Sequence, residues 1–286
     1  MFIVTGGTGL LGSQIVDRLL ERVPAARVGV SVRDIDRAGE LAARGVRVRR
    51  GDFTDPSSLA EAFEGATRVL IVSANLTGEA AVAAHVAAID AARAAGAGRI
   101  LYTSHQAAAD DSVFEPMPDH AATERYLAAT GLPFTALRNG FYAGTVPLLL
   151  GSALETGELI APADGPVSWT AHADLAEAAA IILADEDRFD GPTPPLTAPE
   201  ALDLADIAAI LTEQGGRTIR RVVAEDSEWA ASLVAHGVSE ERAAMLLGIF
   251  RAARRGEFAT ATGELASLLQ RPAIPVSSIL SAATTR

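Results

Sequence analysis

The chain has 286 residues, 49% of them apolar, and a formal net charge of -12 at pH 7, so it can bury a large core and does not read as a direct binder of nucleic acid. It contains no cysteine, which excludes disulfides, thiolate chemistry and cysteine metal sites, and its five histidines form no H-x-x-x-H pair, so no metal is expected. No apolar run is long enough to cross a bilayer and no basic segment precedes the first one, so the expectation is no membrane contact, no secretory signal and a cytoplasmic location.

Residues 2–4 read as a short buried strand and Leu10–Leu20 as a helix with an apolar stripe. Between them lies Thr5-Gly6-Gly7-Thr8-Gly9-Leu10-Leu11-Gly12, a glycine turn in the strand-turn-helix setting that gives such a motif meaning. Gly6 permits a tight turn, Gly9 lets a pyrophosphate approach the backbone, and Gly12 lets the helix pack close to the sheet. The unpaired N–H groups and positive dipole end of the helix suit a phosphate. The G-x-x-G-x-x-G spacing resembles that of the extended and atypical short-chain dehydrogenase/reductases. It is not a Walker A loop, because no Gly-Lys-Ser/Thr follows.

The chain then alternates strand and helix: a strand at 27–32, a helix at 36–44, a strand at 46–50, and a helix to 64 opened by Asp55 as N-cap and Pro56 at N1. A fourth strand at 68–73, a helix at 80–95 stopped by Gly96, a fifth strand at 99–103, a helix at 119–130 ended by Gly131 and a sixth strand at 134–138 follow. This run predicts a Rossmann-type, doubly wound parallel sheet with helices on both faces over residues 1–142. Beyond it, 148–156 looks helical, Trp169-Thr170 reads as a short strand and 172–184 as a helix. The breaker cluster at 190–195 reads as a loop, and helices at 204–214, 226–235 and 240–254 flank a strand at 218–223. Residues 143–286 are therefore expected to form a smaller, mostly helical substrate lobe over the carboxyl ends of the strands, with segments crossing back to the first domain.

An acidic ribose reader would be expected about 20 residues beyond the glycine motif. That place holds Arg33, whose guanidinium can fork onto a 2′-phosphate, which favours NADP(H); Asp34 beside it leaves NAD(H) open. Ser73-Ala74-Asn75 follows the fourth strand along the expected ribose path, and Thr103-Ser104-His105 follows the fifth beside the expected nicotinamide. On the next helix His120 and Glu124 share a face. Imidazole can donate a proton near neutral pH and a carboxylate can orient it; a surface His–Glu pair is the rival reading. Ser104 has the same double reading, as a polar group by the nicotinamide or a loop serine. His85 reads as core, His172 and His236 as helix-end residues, and the Arg251–Arg255 cluster as a solvated helix face.

Several pieces together resemble the NmrA-like branch of the atypical short-chain dehydrogenase/reductases, and within it the type-2 NAD(P)H quinone oxidoreductases. They are the Thr5 to Gly12 motif, Val32-Arg33-Asp34, Ala94-Ala95-Gly96, Tyr102-Thr103-Ser104, His120-x-x-x-Glu124 and Leu137-Arg138-Asn139-Gly140-Phe141-Tyr142. The resemblance runs from residue 1 to about residue 180 and fades beyond. It implies a reductase that holds NADPH and passes hydride directly to a small quinone, with no flavin. It implies cofactor contacts at Gly6, Gly7, Thr8, Gly9, Leu10 and Leu11, at Arg33, at Ser73 to Asn75, with Thr103 near the nicotinamide, and at Arg138, Asn139, Gly140, Phe141 and Tyr142. Asp52 would accept a hydrogen bond from the adenine and Phe53 would cover the ring. A turn or cap is the other reading of Asp52, and packing the other reading of Phe141 and Tyr142.

The departure from the wider superfamily is the catalytic pair. Where ordinary members carry Tyr-x-x-x-Lys, this chain has His120-x-x-x-Glu124. Three functions follow: an NADPH-dependent reductase of quinones or similar conjugated carbonyls, a redox sensor that binds NAD(P) without turnover, and an extended-class sugar-nucleotide epimerase or reductase, which the missing pair disfavours. The partner is a small-molecule quinone or carbonyl, and a homodimer stays open.

Overall fold

The computed structural model describes residues 1–185 and 188–284. A glycine turn joins β1 (Phe2–Thr5) to α1 (Leu10–Leu20), and β2 (Val28–Val32) follows. Both strands are buried along their whole length, as central strands of a doubly covered parallel sheet should be. The helix expected at 36–44 is broken in two. A 3-10 turn at Ile35–Ala38, capped by Asp34, gives way at Ala38, which leaves helical geometry (φ -107°, ψ 14°), to α2 (Gly39–Ala43). β3 (Arg47–Arg50), α3 (Pro56–Ala62), β4 (Arg68–Ile71), α4 (Gly78–Ala94), β5 (Arg99–His105), α5 (Pro116–Ala129) and β6 (Phe134–Asn139) complete the alternating run. Asp55 does sit at the N-cap of α3, but its carboxylate takes the Ser57 hydroxyl at 2.6 Å and Arg50 at 2.9 Å, without capping the helix.

Two boundaries matter for the site. β4 stops at Ile71, short of Ser73, because the next N–H groups bond to side chains. β5 runs on to His105 because β6 runs with it, pairing Ser104 with Arg138 and His105 with Asn139. Ser104 and His105 are thus strand residues, where a loop is expected.

After β6 come α6 (Val146–Leu149) and α7 (Ala153–Thr156), two one-turn helices split at Gly151, whose φ is +52°. β7 (Glu158–Pro162) is a strand the sequence pattern did not predict. Trp169-Thr170 forms no strand; Thr170 makes one bridge to Tyr142. α8 (His172–Ala184) crosses back to pack on α1. The expected loop at 190–195 contains β8 (Gly191–Pro192), a parallel strand added outside β6. Proline is tolerated there because an edge strand leaves one side of its backbone unpaired. α9 (Leu204–Gly215), β9 (Arg220–Ala224), α10 (Asp226–Ala235), α11 (Glu240–Arg254), α12 (Glu264–Leu269) and α13 (Val276–Thr284) finish the chain.

The main sheet has the order β3-β2-β1-β4-β5-β6-β8, and β7 and β9 form a separate parallel pair. α1 and α8 cover one face, and α3, α4 and α5 the other. A further core cluster holds Phe141, Trp169, Phe250 and Phe258 together with Ile207 and Leu211 of α9. Among the described residues no helix is long and apolar enough to cross a membrane.

Candidate active site

The strand order reverses between β1 and β4, and the glycine turn sits at that switch point. Open α/β sheets hold ligands there. Gly6 takes φ +61° and donates to Ser31 O at 2.8 Å. Gly9 is the N-cap of α1, which has neither a side-chain cap nor an acidic residue in its first turn. Its orphan N–H groups and dipole end are therefore left for an anion. Gly12 acts differently from the expectation: a Cβ there would lie 2.2 Å from Gly6 O, so it lets α1 start against the loop's own peptide. Gly7 makes the close approach to the sheet, where a Cβ would lie 2.7 Å from Val30. Thr8 is half-buried and Leu11 buried, while Leu10 is 67% exposed at the mouth of the turn.

Arg33 is exposed at the end of β2. Asp34 beside it caps the following 3-10 turn, accepting from the Asp36 N–H at 3.0 Å. Asp52 forms a local turn, taking the N–H and hydroxyl of Thr54 at 2.9 and 2.8 Å. Those bonds, with Arg33 nearby, hold its carboxyl below the usual range. The turn reading of Asp52 is thus realised in the structure, with Phe53 half-buried beside it.

The loop after β4 is fixed by three side chains from three elements. Val72 N–H donates to Thr5 Oγ1 at 2.9 Å, Ser73 N–H to Thr103 Oγ1 at 2.8 Å, and Ala74 N–H to His85 Nε2 at 2.9 Å. Ser73 and Ala74 are thereby held at the carboxyl edge, with Asn75 exposed next to them. His85 is buried, as the sequence suggests, and also orders this loop.

The structure does not join His120 to Glu124. Glu124, only 7% exposed, accepts from Ser104 Oγ at 2.6 Å and from Arg138 Nε and Nη2 at 3.1 and 2.7 Å. A bidentate guanidinium holds a carboxylate far better than a neutral imidazole does. This clamp ties β5, α5 and β6 together and raises the pKa of Arg138. The Arg138 side chain therefore faces α5, where with Glu124, Arg125 and Ala121 it lines a cavity of about 360 Å³ on that face of the sheet.

His120 instead bonds through Nδ1 to the Tyr102 hydroxyl at 2.7 Å, and its ring stacks on His105 at 6.3 Å. Burial, with the neighbouring histidines, pushes the His120 pKa down to about 3; burial alone pushes His105 to about 3 and His85 to about 4. All three rings are neutral near pH 7. Tyr102 is buried and its phenol is pushed up by desolvation.

Strand alternation puts Asn139 on the face opposite Arg138, the side of α1 and α8. Asn139 is 1% exposed, and neither amide atom has a hydrogen-bond partner among the described residues. The Tyr142 hydroxyl lies beside it; burial raises that phenol's pKa, and the Asn139 amide partly offsets the rise. A buried orphan amide costs about 1–3 kcal/mol, and such groups mark places where a ligand completes the bonding. Gly140 is required by packing, since a Cβ would lie 2.2 Å from Thr170 Oγ1. Phe141 packs between Phe258, Trp169 and His105 at 4.8–5.5 Å, and the Tyr142 ring lies 4.3 Å from that of His172.

Sequence reasoning missed Tyr102 and the ordering role of His85. Residue alternation along β5 puts Tyr102 on the same face as Ser104, and that was the available signal.

The profile of the NmrA-like family matches residues 1–256. Quinone oxidoreductase 2 of Escherichia coli is 34% identical over 275 residues, covering 95% of this chain and 94% of that protein. The NAD(P)H azoreductase of Xenophilus azovorans is 30% identical over 85% of this chain and 84% of that protein. Among solved structures, the E. coli NADPH-dependent quinone oxidoreductase complexed with NADPH superposes with a TM-score of 0.93 at 32% identity, covering 99% and 100% of the two chains. The triphenylmethane reductase of Citrobacter sp. complexed with NADP(H) gives 0.92 at 31% identity, with the same coverage.

Proposed function

The chain belongs to the NmrA-like family of NAD(P)H-dependent reductases, and from that premise we propose that it binds NADPH and passes hydride directly to a quinone or similar conjugated carbonyl. The observation that carries the reading is the carboxyl edge itself. It combines an uncapped helix N-terminus, an exposed Arg33 at the end of β2, and a neutral His120 beside the end of β5. The relatives named for quinone and azo-compound reduction, and the two structures that hold NADPH or NADP(H), support it.

The residues present fit the dinucleotide. The glycine turn and the first turn of α1 receive the pyrophosphate. Arg33 would pair with the 2′-phosphate, and the pinned loop from Ser73 to Asn75 would hold the ribose. Asn139, whose buried amide faces Tyr142, would be the polar contact for the nicotinamide end. When bound, NADPH supplies the hydride. His120, kept neutral by burial, serves as a hydrogen-bond donor to the oxygen that gains charge. A quinone needs little more, because conjugation stabilises its phenolate-like product, and the remaining proton of the hydroquinone comes from water. Glu124, Ser104 and Arg138 hold the framework and stay outside the chemistry.

The test is NADPH consumption with a panel of quinones and aliphatic ketones, repeated with NADH. Turnover of quinones, little with acetone, and a preference for NADPH are expected. Binding of both NADP(H) redox forms with no turnover of any acceptor would favour a sensor instead.

A further inference from the structure

We infer that Tyr102 is a positioning residue that fixes the tautomer of His120, so that His120 presents an N–H, and not a lone pair, to the reacting oxygen. This rests on the reductase reading above for its kinetic meaning, but the tautomer itself follows from the hydrogen bonds alone.

The direction of each bond is forced from one end. The Ala74 N–H can only donate, so His85 Nε2, 2.9 Å away, is the bare nitrogen and Nδ1 carries the proton. His85 Nδ1–H lies 3.1 Å from Thr123 Oγ1 and 3.4 Å from Tyr102 Oη. The Thr123 hydroxyl gives its own proton to Asp119 O at 2.8 Å, so it can only accept from His85. Tyr102 Oη likewise faces a donor on the His85 side. Its own proton then goes to His120 Nδ1 at 2.7 Å, the shortest contact it makes. The opposite arrangement, with a proton on His120 Nδ1, would leave the hydroxyl proton of this fully buried tyrosine only Thr123 Oγ1, an oxygen that already accepts from His85, and would give up the 2.7 Å contact as a place for that proton. A neutral imidazole with a bare Nδ1 carries its proton on Nε2. Among the described residues Tyr102 is the only hydrogen-bond partner of the His120 ring, and His120 is partly exposed at the carboxyl edge, so Nε2–H is the side left for a substrate.

The arrangement moves no proton during the hydride step. The oxygen of the quinone gains charge, His120 Nε2–H donates a hydrogen bond to it, and Tyr102 keeps its proton because its phenol is desolvated. One hydride and one proton from water make the hydroquinone.

The experiment has two arms. In the first, histidine ¹⁵N NMR of the full-length protein at pH 7 is expected to show His120 with Nδ1 unprotonated and Nε2 protonated, and Tyr102→Phe to shift that pattern towards the other tautomer. Protonated Nδ1 in the wild type, or a pattern unchanged in Tyr102→Phe, would overturn the proposal. In the second arm, Tyr102→Phe should lower kcat for 1,4-benzoquinone by roughly 10–100-fold, less than the 10²–10³-fold of deleting such a donor outright, with NADPH affinity and far-UV circular dichroism unchanged. His120→Gln offers an N–H with no tautomer to set, so Tyr102→Phe added to it should cost little more. The full loss persisting in that background would show a merely structural role and overturn the proposal. A wild type with the expected tautomer that reduces no quinone would overturn the reductase reading and leave the tautomer assignment standing.

Discussion

Glu124→Gln separates a structural role for Glu124, as the carboxylate that clamps Arg138 and Ser104, from a part in the chemistry. The substitution keeps the shape, removes the charge and turns an N–H₂ towards Arg138. Three bonds are affected, from Ser104 at 2.6 Å and from Arg138 at 3.1 and 2.7 Å. Breaking a buried pair costs about 3–5 kcal/mol. The Arg138 side chain is 31% exposed, so water recovers part of its solvation, and about 2–3 kcal/mol is the expected loss. At about 2–4 °C per kcal/mol, Tm should fall by roughly 4–12 °C. Thermal unfolding followed by circular dichroism, with steady-state kinetics at 25 °C, checks this, and kcat should change by well under the 10²-fold typical of a lost acid–base group. An unchanged Tm with a kcat loss beyond 10²-fold would refute the clamp and return Glu124 to the chemistry.

Arg33→Ala should weaken NADPH binding by about 1.5–3 kcal/mol and NADH binding much less; equal losses by calorimetry would remove Arg33 as the phosphate reader. Gly140→Ala, whose new methyl would meet Thr170 Oγ1 at 2.2 Å, should lower the urea midpoint by the equivalent of about 1–3 kcal/mol; an unchanged midpoint would contradict that contact. Three histidines have folded pKa values pushed from 6.5 down to about 4 (His85) and about 3 (His105 and His120), so as pH falls the unfolded chain takes up protons first. Stability should therefore fall from pH 6.5 towards pH 3, by up to about 2 kcal/mol per histidine between pH 7 and pH 5. A urea midpoint flat over that interval would refute it. For the same reason kcat should show no histidine inflection between pH 5 and pH 8.

The alternating apolar runs and glycine stops made the sheet and its helices legible, and α1, α8 and α10 match the predicted spans to the residue. What sequence could not show is long-range pairing. β8 lies in a glycine- and proline-rich stretch with no strand pattern and exists because β6 offers an edge. The His120–Glu124 spacing is real, but Arg138, 14 residues on along the chain and brought alongside by β6, claims the carboxylate. Tyr102 reads as a core residue until α5 places His120 against its hydroxyl. The local motifs, the glycine turn and the strand-end Arg33, depend on neighbours along the chain, and so the sequence alone carries them.

Direct hydride transfer is tested most simply by single-turnover reduction of 1,4-benzoquinone by flavin-free protein loaded with NADPH deuterated at nicotinamide C4. Loss of NADPH absorbance well above the uncatalysed background, slowed by the transferred deuterium and not by its epimer, is the predicted result. NADPH that binds but is consumed no faster than in free solution, whatever the isotope, would contradict it.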